Sequence, residues 1–240
     1  MKTIAYFTDT HLDEPGPGKH GADAHKNWHS ILAELDTLDA DQVICGGDIG
    51  AFSAYPEFFK ALAMFKAVRV TPGNHDTSAQ VRQLLSPQSS EKDFYYSESD
   101  ANLKWIFLDS STDKLGSQQM SWFENELQSD EREIILFIHH PVLTVNTIVD
   151  RKYPLENRNA VKNLLLQNGK QTTIFCGHYH IEDTTSEANI IQYVTPAVSY
   201  QIKKGTTNVE GDASYFGYRM IYIDGNKIET EVITLYPDDF

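Results

Sequence analysis

Lys2-Thr3-Ile4-Ala5-Tyr6-Phe7-Thr8-Asp9-Thr10-His11 decides how the rest of the chain is read. A short apolar run stops on a polar break that carries an acid and an imidazole two residues apart. The run is too short for a stable helix, and Ile, Tyr and Phe favour a strand. The same grammar recurs along the chain. Residues 42–45 lead into Gly46-Gly47-Asp48, and residues 67–71 lead into Gly73-Asn74-His75-Asp76. Residues 133–138 lead into His139-His140-Pro141, and residues 172–176 into Gly177-His178-Tyr179-His180. In open α/β sheets, loops at the carboxyl ends of strands converge on one crevice, where ligand sites collect.

Amphipathic helices separate these strands. Trp28, Ile31, Leu32, Leu35 and Leu38 fall at helical spacing and predict a helix over 22–38. Further helices are expected at 56–65, 78–85, 117–127 and 159–166, with Pro56 in a first turn and Ser117 as an N-cap. Another strand is expected at 103–108. After Gly177 the helical signal stops, and strands are expected at 190–194, 197–202, 219–223 and 227–235. Asp224-Gly225 marks a hairpin between the last two. The pattern predicts a layered α/β domain whose final strands complete a second sheet. With no linker or repeat, residues 1–240 are expected to form one domain.

Composition narrows the partners. The 240 residues carry 20 Lys and Arg against 34 Asp and Glu, a net charge of −14, which disfavours nucleic acid polymers and anionic membranes. A hydrophobic content of 40% argues against disorder. Apolar runs are shorter than a bilayer requires, and residues 1–7 turn polar too soon for a signal peptide. The two cysteines, Cys45 and Cys176, are too few for a disulfide scaffold and are expected to be buried thiols. A cytoplasmic location is expected.

Seven side chains in the strand-end loops suit borderline or hard divalent ions: Asp9, His11, Asp48, Asn74, His139, His178 and His180. Four imidazoles, two carboxylates and an amide fit Zn, Fe or Mn and do not make a thiolate site. Seven ligands are too many for one tetrahedral ion but fit two ions that share a carboxylate. Such a pair can clamp the attacking and leaving oxygens of a phosphoryl displacement.

The elements D-x-H, G-D, G-N-H-[DE], H and G-H-x-H occur in this order from Asp9 to His180. In this the chain resembles the calcineurin-like metallophosphoesterases. Leu108-Asp109-Ser110, the helix over 118–127, His139-His140-Pro141, Tyr218-Arg219 and Glu229-Thr230-Glu231-Val232 resemble the class III cyclic nucleotide phosphodiesterase branch. The resemblance implies an αββα sandwich of two mixed sheets flanked by helices. It implies that Asp9, His11, Asp48 and His180 hold one ion and that Asp48, Asn74, His139 and His178 hold a second. His75 would stabilise the phosphoryl charge or protonate the leaving alkoxide, and Asp76 would orient His75 or cap the next helix. The expected reaction is hydrolysis of a small soluble phosphodiester, foremost a 3′,5′-cyclic nucleotide, by metal-bound hydroxide. A phosphomonoesterase, a glycerophosphodiesterase, a nucleotide-sugar hydrolase and a non-catalytic scaffold are the rivals. A monomer or homodimer is expected. In one respect the chain departs from many relatives: after Asp48 the run Ile49-Gly50-Ala51-Phe52 has no second acid.

Other features have plainer readings. His25 and His29 sit four apart on a helix face, His20 lies outside the motifs, and His140 is expected to pack behind the site. Residues 142–154 and 200–216 are expected to shape the substrate pocket, since loops on a rigid scaffold set specificity. Lys203-Lys204 is expected on the surface.

Overall fold

A computed structural model describes residues 1–85, 94–100, 102–128 and 132–239. The chain runs β1 (Lys2–Phe7), α1 (Pro15–Lys19), α2 (Ala24–Thr37), β2 (Gln42–Cys45), α3 (Tyr55–Leu62), β3 (Val68–Val70) and α4 (Ser78–Leu85). There follow β4 (Tyr96–Ser99), β5 (Leu103–Leu108), α5 (Ser117–Gln128), β6 (Glu133–Ile138), α6 (Ile148–Lys152), α7 (Arg158–Asn168) and β7 (Thr172–Cys176). The last part is β-rich: β8 (Asp183–Glu187), β9 (Ile190–Val194), β10 (Gln201–Ile202), β11 (Gly211–Asp212), β12 (Phe216–Asp224) and β13 (Lys227–Leu235).

Two mixed sheets result. One has the order β13-β12-β1-β2-β3, the other β4-β5-β6-β7-β9-β8. In the first, β1, β2 and β3 are parallel, and β12 pairs antiparallel with both β1 and β13. In the second, β5, β6, β7 and β9 are parallel, flanked by antiparallel edges β4 and β8. Between the sheets lie Ile4, Tyr6, Ile44 and Ile221 from one side and Trp105, Phe107, Ile135, Phe137 and Phe175 from the other. The outer face of the first sheet packs on α2 and α3 through Trp28, Ile31 and Phe58. That of the second packs on α5 and α7 through Phe123, Val161 and Leu165. The layers are therefore αββα.

The final hairpin does not complete a second sheet. β12 pairs with β1, from Lys2 opposite Ile223 to Tyr6 opposite Arg219, and extends the first sheet. The strands that widen the second sheet are β8 and β9. The hairpin turn is Gly225-Asn226, one residue beyond the expected dipeptide, with Gly225 at φ +62°. That places Gly at the first central position, as a type II′ turn requires.

Helix starts follow their caps. α2 begins at Ala24 and not at residue 22, because the Asp23 side chain accepts from Lys26 N at 3.0 Å. α7 runs on to Asn168 and ends where Gly169 turns left-handed at φ +74°. The strand expected over 197–202 shrinks to Gln201–Ile202. Its first half is tied instead to the loop after β1: Val198 N donates to Thr8 O at 3.0 Å, and Ser199 N to Asp9 O at 3.1 Å. The Asn27 amide of α2 holds the same segment by donating to Val198 O and Ser199 O. Residues 198–199 thereby tie the loop that carries Asp9 to α2.

Candidate metal centre

Five loops at the carboxyl ends of parallel strands meet at one point. β1 delivers Asp9 and His11, β2 Asp48, β3 Asn74 and His75, β6 His139, and β7 His178 and His180. Asp9, His11, Asp48, His178 and His180 all have positive φ, from +46° to +68°. Left-handed backbone costs an L-residue about 1–2 kcal/mol, so the strain collects at the site. It is held in place by cross-loop bonds: Asp9 N to Gly47 O at 2.9 Å, His11 N to Asp48 O at 3.0 Å, and His178 N to Asp9 Oδ2 at 3.1 Å.

The ligand atoms converge. His180 Nε2 lies 3.4 Å from Asp9 Oδ1 and 3.0 Å from His11 Nε2. His139 Nε2 lies 3.2 Å from Asp48 Oδ2 and 3.9 Å from Asp9 Oδ1. Asp48 Oδ2 is also 3.6 Å from His11 Nε2, so this one carboxylate faces both clusters. Asp9 with His11 and His180, and Asp48 with His139 and His178, each bring their donor atoms within 4.8 Å of one another. Asn74 Oδ1, Asp9 Oδ1 and His139 Nε2 are buried without a hydrogen-bond partner. An orphaned buried polar atom costs about 1–3 kcal/mol, and divalent ions between these atoms would satisfy all three. The residues fit two ions with nitrogen and oxygen donors.

Each imidazole is aimed from behind. His139 Nδ1 donates to Gly46 O at 2.8 Å, and His180 Nδ1 to Tyr200 O at 2.8 Å. Both leave Nε2 facing the centre. His178 is reversed: its Nε2 donates to Tyr153 O at 2.9 Å and leaves Nδ1 inward. His11 Nδ1 donates to Glu14 Oε2 at 3.0 Å. Such backing fixes the tautomer and ring direction of a ligating histidine. The motifs gave no sign of these partners, because carbonyls carry no residue identity and Glu14 belongs to none of the elements.

Charge is distributed accordingly. Burial would lower the His139 imidazole, but the Asp48 carboxylate holds it up at about 10. Burial and the neighbouring His139 push His178 down to about 4. Burial would raise Asp9 and Asp48, but the facing imidazoles hold both below the usual carboxylate range. Protons and cations thus compete for the same carboxylates. The Glu14 hydrogen bond raises His75 to about 9.

Two glycines permit this closeness. A Cβ at Gly73 would fall on the Asp48 side chain, and one at Gly177 on Thr8 and Asp9. Gly177→Ala is expected to cost about 1–3 kcal/mol of stability through overpacking and to displace Asp9. Metal analysis after Mn loading checks this, and an alanine variant with the full ion content would contradict it.

Some residues lie differently from expectation. The Asp76 carboxylate accepts from Asp48 N and Gly73 N on one oxygen, and from Ile49 N and the Tyr55 hydroxyl on the other. It braces the loops and does not cap α4. The carboxylate beside His75 is Glu14, at 2.9 Å from Nδ1. Burial, with Asp48 adding, pushes Asp76 up to about 6. His140 is fully buried, bonded to Ser110 Oγ at 2.9 Å, with its ring 4.0 Å from that of His178. It packs behind the site as expected. His25 pairs with Asp13 on the surface, and His20 packs on Tyr200 with ring centroids 4.5 Å apart. Cys45 and Cys176 are buried free thiols. Lys204 pairs with Asp183.

The centre opens into a cleft of about 530 Å³. Its floor is His11, Asp48, Asn74, His75, His178 and His180, and its walls include Tyr153, Pro154, Tyr200 and Val209. Both loops expected to shape the pocket contribute. The size and the mixed polar and apolar lining suit a small molecule.

Paired divalent-ion ligands at strand ends beneath a small cleft are the equipment of a metal-dependent phosphoester hydrolase. The chain belongs to the calcineurin-like phosphoesterase family, which matches residues 2–182. It is 27% identical over 237 residues to a probable cyclic nucleotide phosphodiesterase of Fibrobacter succinogenes, covering 95% of this chain and 92% of the relative. It is 26% identical over 253 residues to the 3′,5′-cyclic adenosine monophosphate phosphodiesterase CpdA of Vibrio vulnificus, covering 99% and 91%. Among solved structures it shares the fold of a dimetal phosphatase from Danio rerio, with a TM-score of 0.68, 14% identity and 98% of each chain covered. None of the helices among the described residues is long and apolar enough to cross a membrane.

Proposed function

We propose that the protein is a phosphodiesterase acting on a small soluble phosphodiester, a 3′,5′-cyclic nucleotide. The observation that carries this reading is the pair of ligand clusters lying at a nucleotide-sized cleft, whose lining includes His11, Asp48, Asn74, His178 and His180. The names of the relatives point the same way. Asp9, His11, Asp48 and His180 would hold one ion, and Asp48, Asn74, His139 and His178 the other, with Asp48 shared. The donor set favours Fe, Mn or Zn. When bound, the ions lower the pKa of a bound water and neutralise phosphoryl charge.

The chain's own residues do the rest. The cleft floor holds the phosphate with its leaving oxygen toward His75. As a P–O bond forms on one side of phosphorus, the bond to the leaving oxygen breaks on the other. The proton that oxygen needs comes from His75 Nε2, since Nδ1 is engaged by Glu14. Tyr153, Pro154 and Tyr200 offer flat apolar surface to a base. We place the chain in the cytoplasm as one domain over residues 1–240, working as a monomer or homodimer.

The test is a hydrolysis panel on Mn-loaded enzyme with cyclic AMP, cyclic GMP, 2′,3′-cyclic nucleotides, a glycerophosphodiester, bis(p-nitrophenyl) phosphate and p-nitrophenyl phosphate. A 3′,5′-cyclic nucleotide is expected to have the highest kcat/KM. A clear preference for p-nitrophenyl phosphate would replace this reading with a monoesterase. His75→Ala is expected to keep both ions and lose about 10²–10⁴ in kcat on cyclic nucleotide. Full activity in that variant would remove the proposed role of His75.

A further inference from the structure

We propose that Glu14 is the positioning residue of the proton donor: its carboxylate holds His75 and His11 together and fixes which nitrogen of His75 meets the leaving group. This rests on the proposed reading of His75 as the proton donor.

His75 needs an anchor. It sits on the turn after β3, and 45% of its side chain is exposed. Its backbone N–H is fixed by Asp48 Oδ1 at 2.9 Å, but that bond leaves the ring free to rotate about its side-chain bonds. Two contacts restrain the ring. Glu14 Oε1 and Oε2 lie 3.1 and 2.9 Å from Nδ1. The His11 ring meets it edge-on, with centroids 4.7 Å apart at 89°. The same Oε2 also accepts from His11 Nδ1 at 3.0 Å. One acid thus receives an N–H from a metal-ligand candidate and from the proton donor.

The backbone delivers Glu14 to this place. Gly50 joins the two loops, where Leu12 N donates to Ile49 O at 2.9 Å and Ala51 N to Leu12 O at 2.8 Å. A Cβ at Gly50, which has φ +131°, would fall on the Leu12 backbone. Pro15 and Pro17 then stiffen the short α1, and Glu14 precedes it in extended geometry with its side chain 16% exposed. The segment after Asp48, residues 49–52, contributes no acid of its own. The acid comes from the β1 loop instead.

Glutamine does not reproduce this carboxylate. His75 Nδ1 spans both oxygens, and with an amide oxygen kept at the Oε2 position for His11, an NH2 group would stand at the Oε1 position, 3.1 Å from the His75 N–H. The test compares wild type, Glu14→Gln, His75→Ala and the double variant on methyl aryl phosphates, from p-nitrophenyl to unsubstituted phenyl. Leaving-group protonation matters most for the poor leaving group. Glu14→Gln is expected to lower kcat about 10²-fold on the phenyl ester and under about threefold on the nitrophenyl ester. All assays are run at saturating Mn, where KM and Mn content should hold. In the His75→Ala background the same change should add under about twofold, because the two residues act as one unit. Equal losses on both esters, losses that multiply in the double variant, or a loss on the phenyl ester that saturating Mn restores would overturn the proposal. The aryl esters are informative whether or not cyclic nucleotides are hydrolysed. A wrong substrate class therefore fails in the panel above, and a wrong role for Glu14 fails here.

Discussion

Asp48→Asn is expected to give a folded protein that holds neither ion firmly and has lost about a thousandfold or more in kcat. Asp48 Oδ1 accepts the His75 N–H at 2.9 Å, so the amide oxygen would keep that position. The amide nitrogen would then face His139 and His11, where Oδ2 now lies 3.2 and 3.6 Å from their Nε2 atoms. An NH2 group has no lone pair for a cation, so both clusters lose their shared member. The swap is isosteric but takes from His139 the carboxylate it faces, so the ion-free protein should unfold somewhat earlier than the wild type. The contrast appears on adding Mn. A wild type at a hundred times its Kd gains about 2.7 kcal/mol, and the variant should gain almost nothing. Thermal melts with and without Mn, together with metal analysis, decide it. A variant retaining two equivalents of Mn and wild-type turnover would end the assignment of Asp48 as the shared ligand.

Asp76→Asn should have the opposite signature, a large loss of stability before any question of catalysis. Both of its oxygens accept two hydrogen bonds, three from backbone N–H groups and one from the Tyr55 hydroxyl. The residue is 6% exposed. An asparagine turns one acceptor into a donor that points at existing donors. A buried donor left without an acceptor costs about 1–3 kcal/mol, and here at least one more is created, for about 3–5 kcal/mol in all. That is a large part of the 5–15 kcal/mol typical of a folded domain. Tyr55→Phe removes only one of these bonds and should cost about 1 kcal/mol. Urea unfolding of both variants measures the difference. If Asp76→Asn unfolds within about 1 kcal/mol of wild type while kcat falls, Asp76 serves His75 and the bracing role is wrong.

The candidate ligands were legible because of where strands end. A strand buried on both faces reads as a continuous apolar run, and its end is marked by the first polar residues. Asp9, Asp48, His139 and His178 lie one to three residues past such ends. Elements without that contrast were not legible. β8, Asp183 to Glu187, is polar throughout because it is an exposed edge. β4, Tyr96 to Ser99, is the other edge, and α1 is built from Pro and Gly. Nothing in these stretches sets a period, and their structure comes from what they pair with.

Local sequence thus determined the strand ends, the helices with an apolar stripe and the donor set, since each depends on side chains a few residues apart. Tertiary structure decided which sheet takes the last hairpin: β12 lies against β1 across more than two hundred residues of chain. It also decided the work of the acids. Glu14, Asp76 and Asp48 have related side chains, yet one grips two imidazoles, one braces backbone N–H groups and one faces both ligand clusters. Their roles follow from the donors brought opposite them, and only the folded chain brings donors from five loops together.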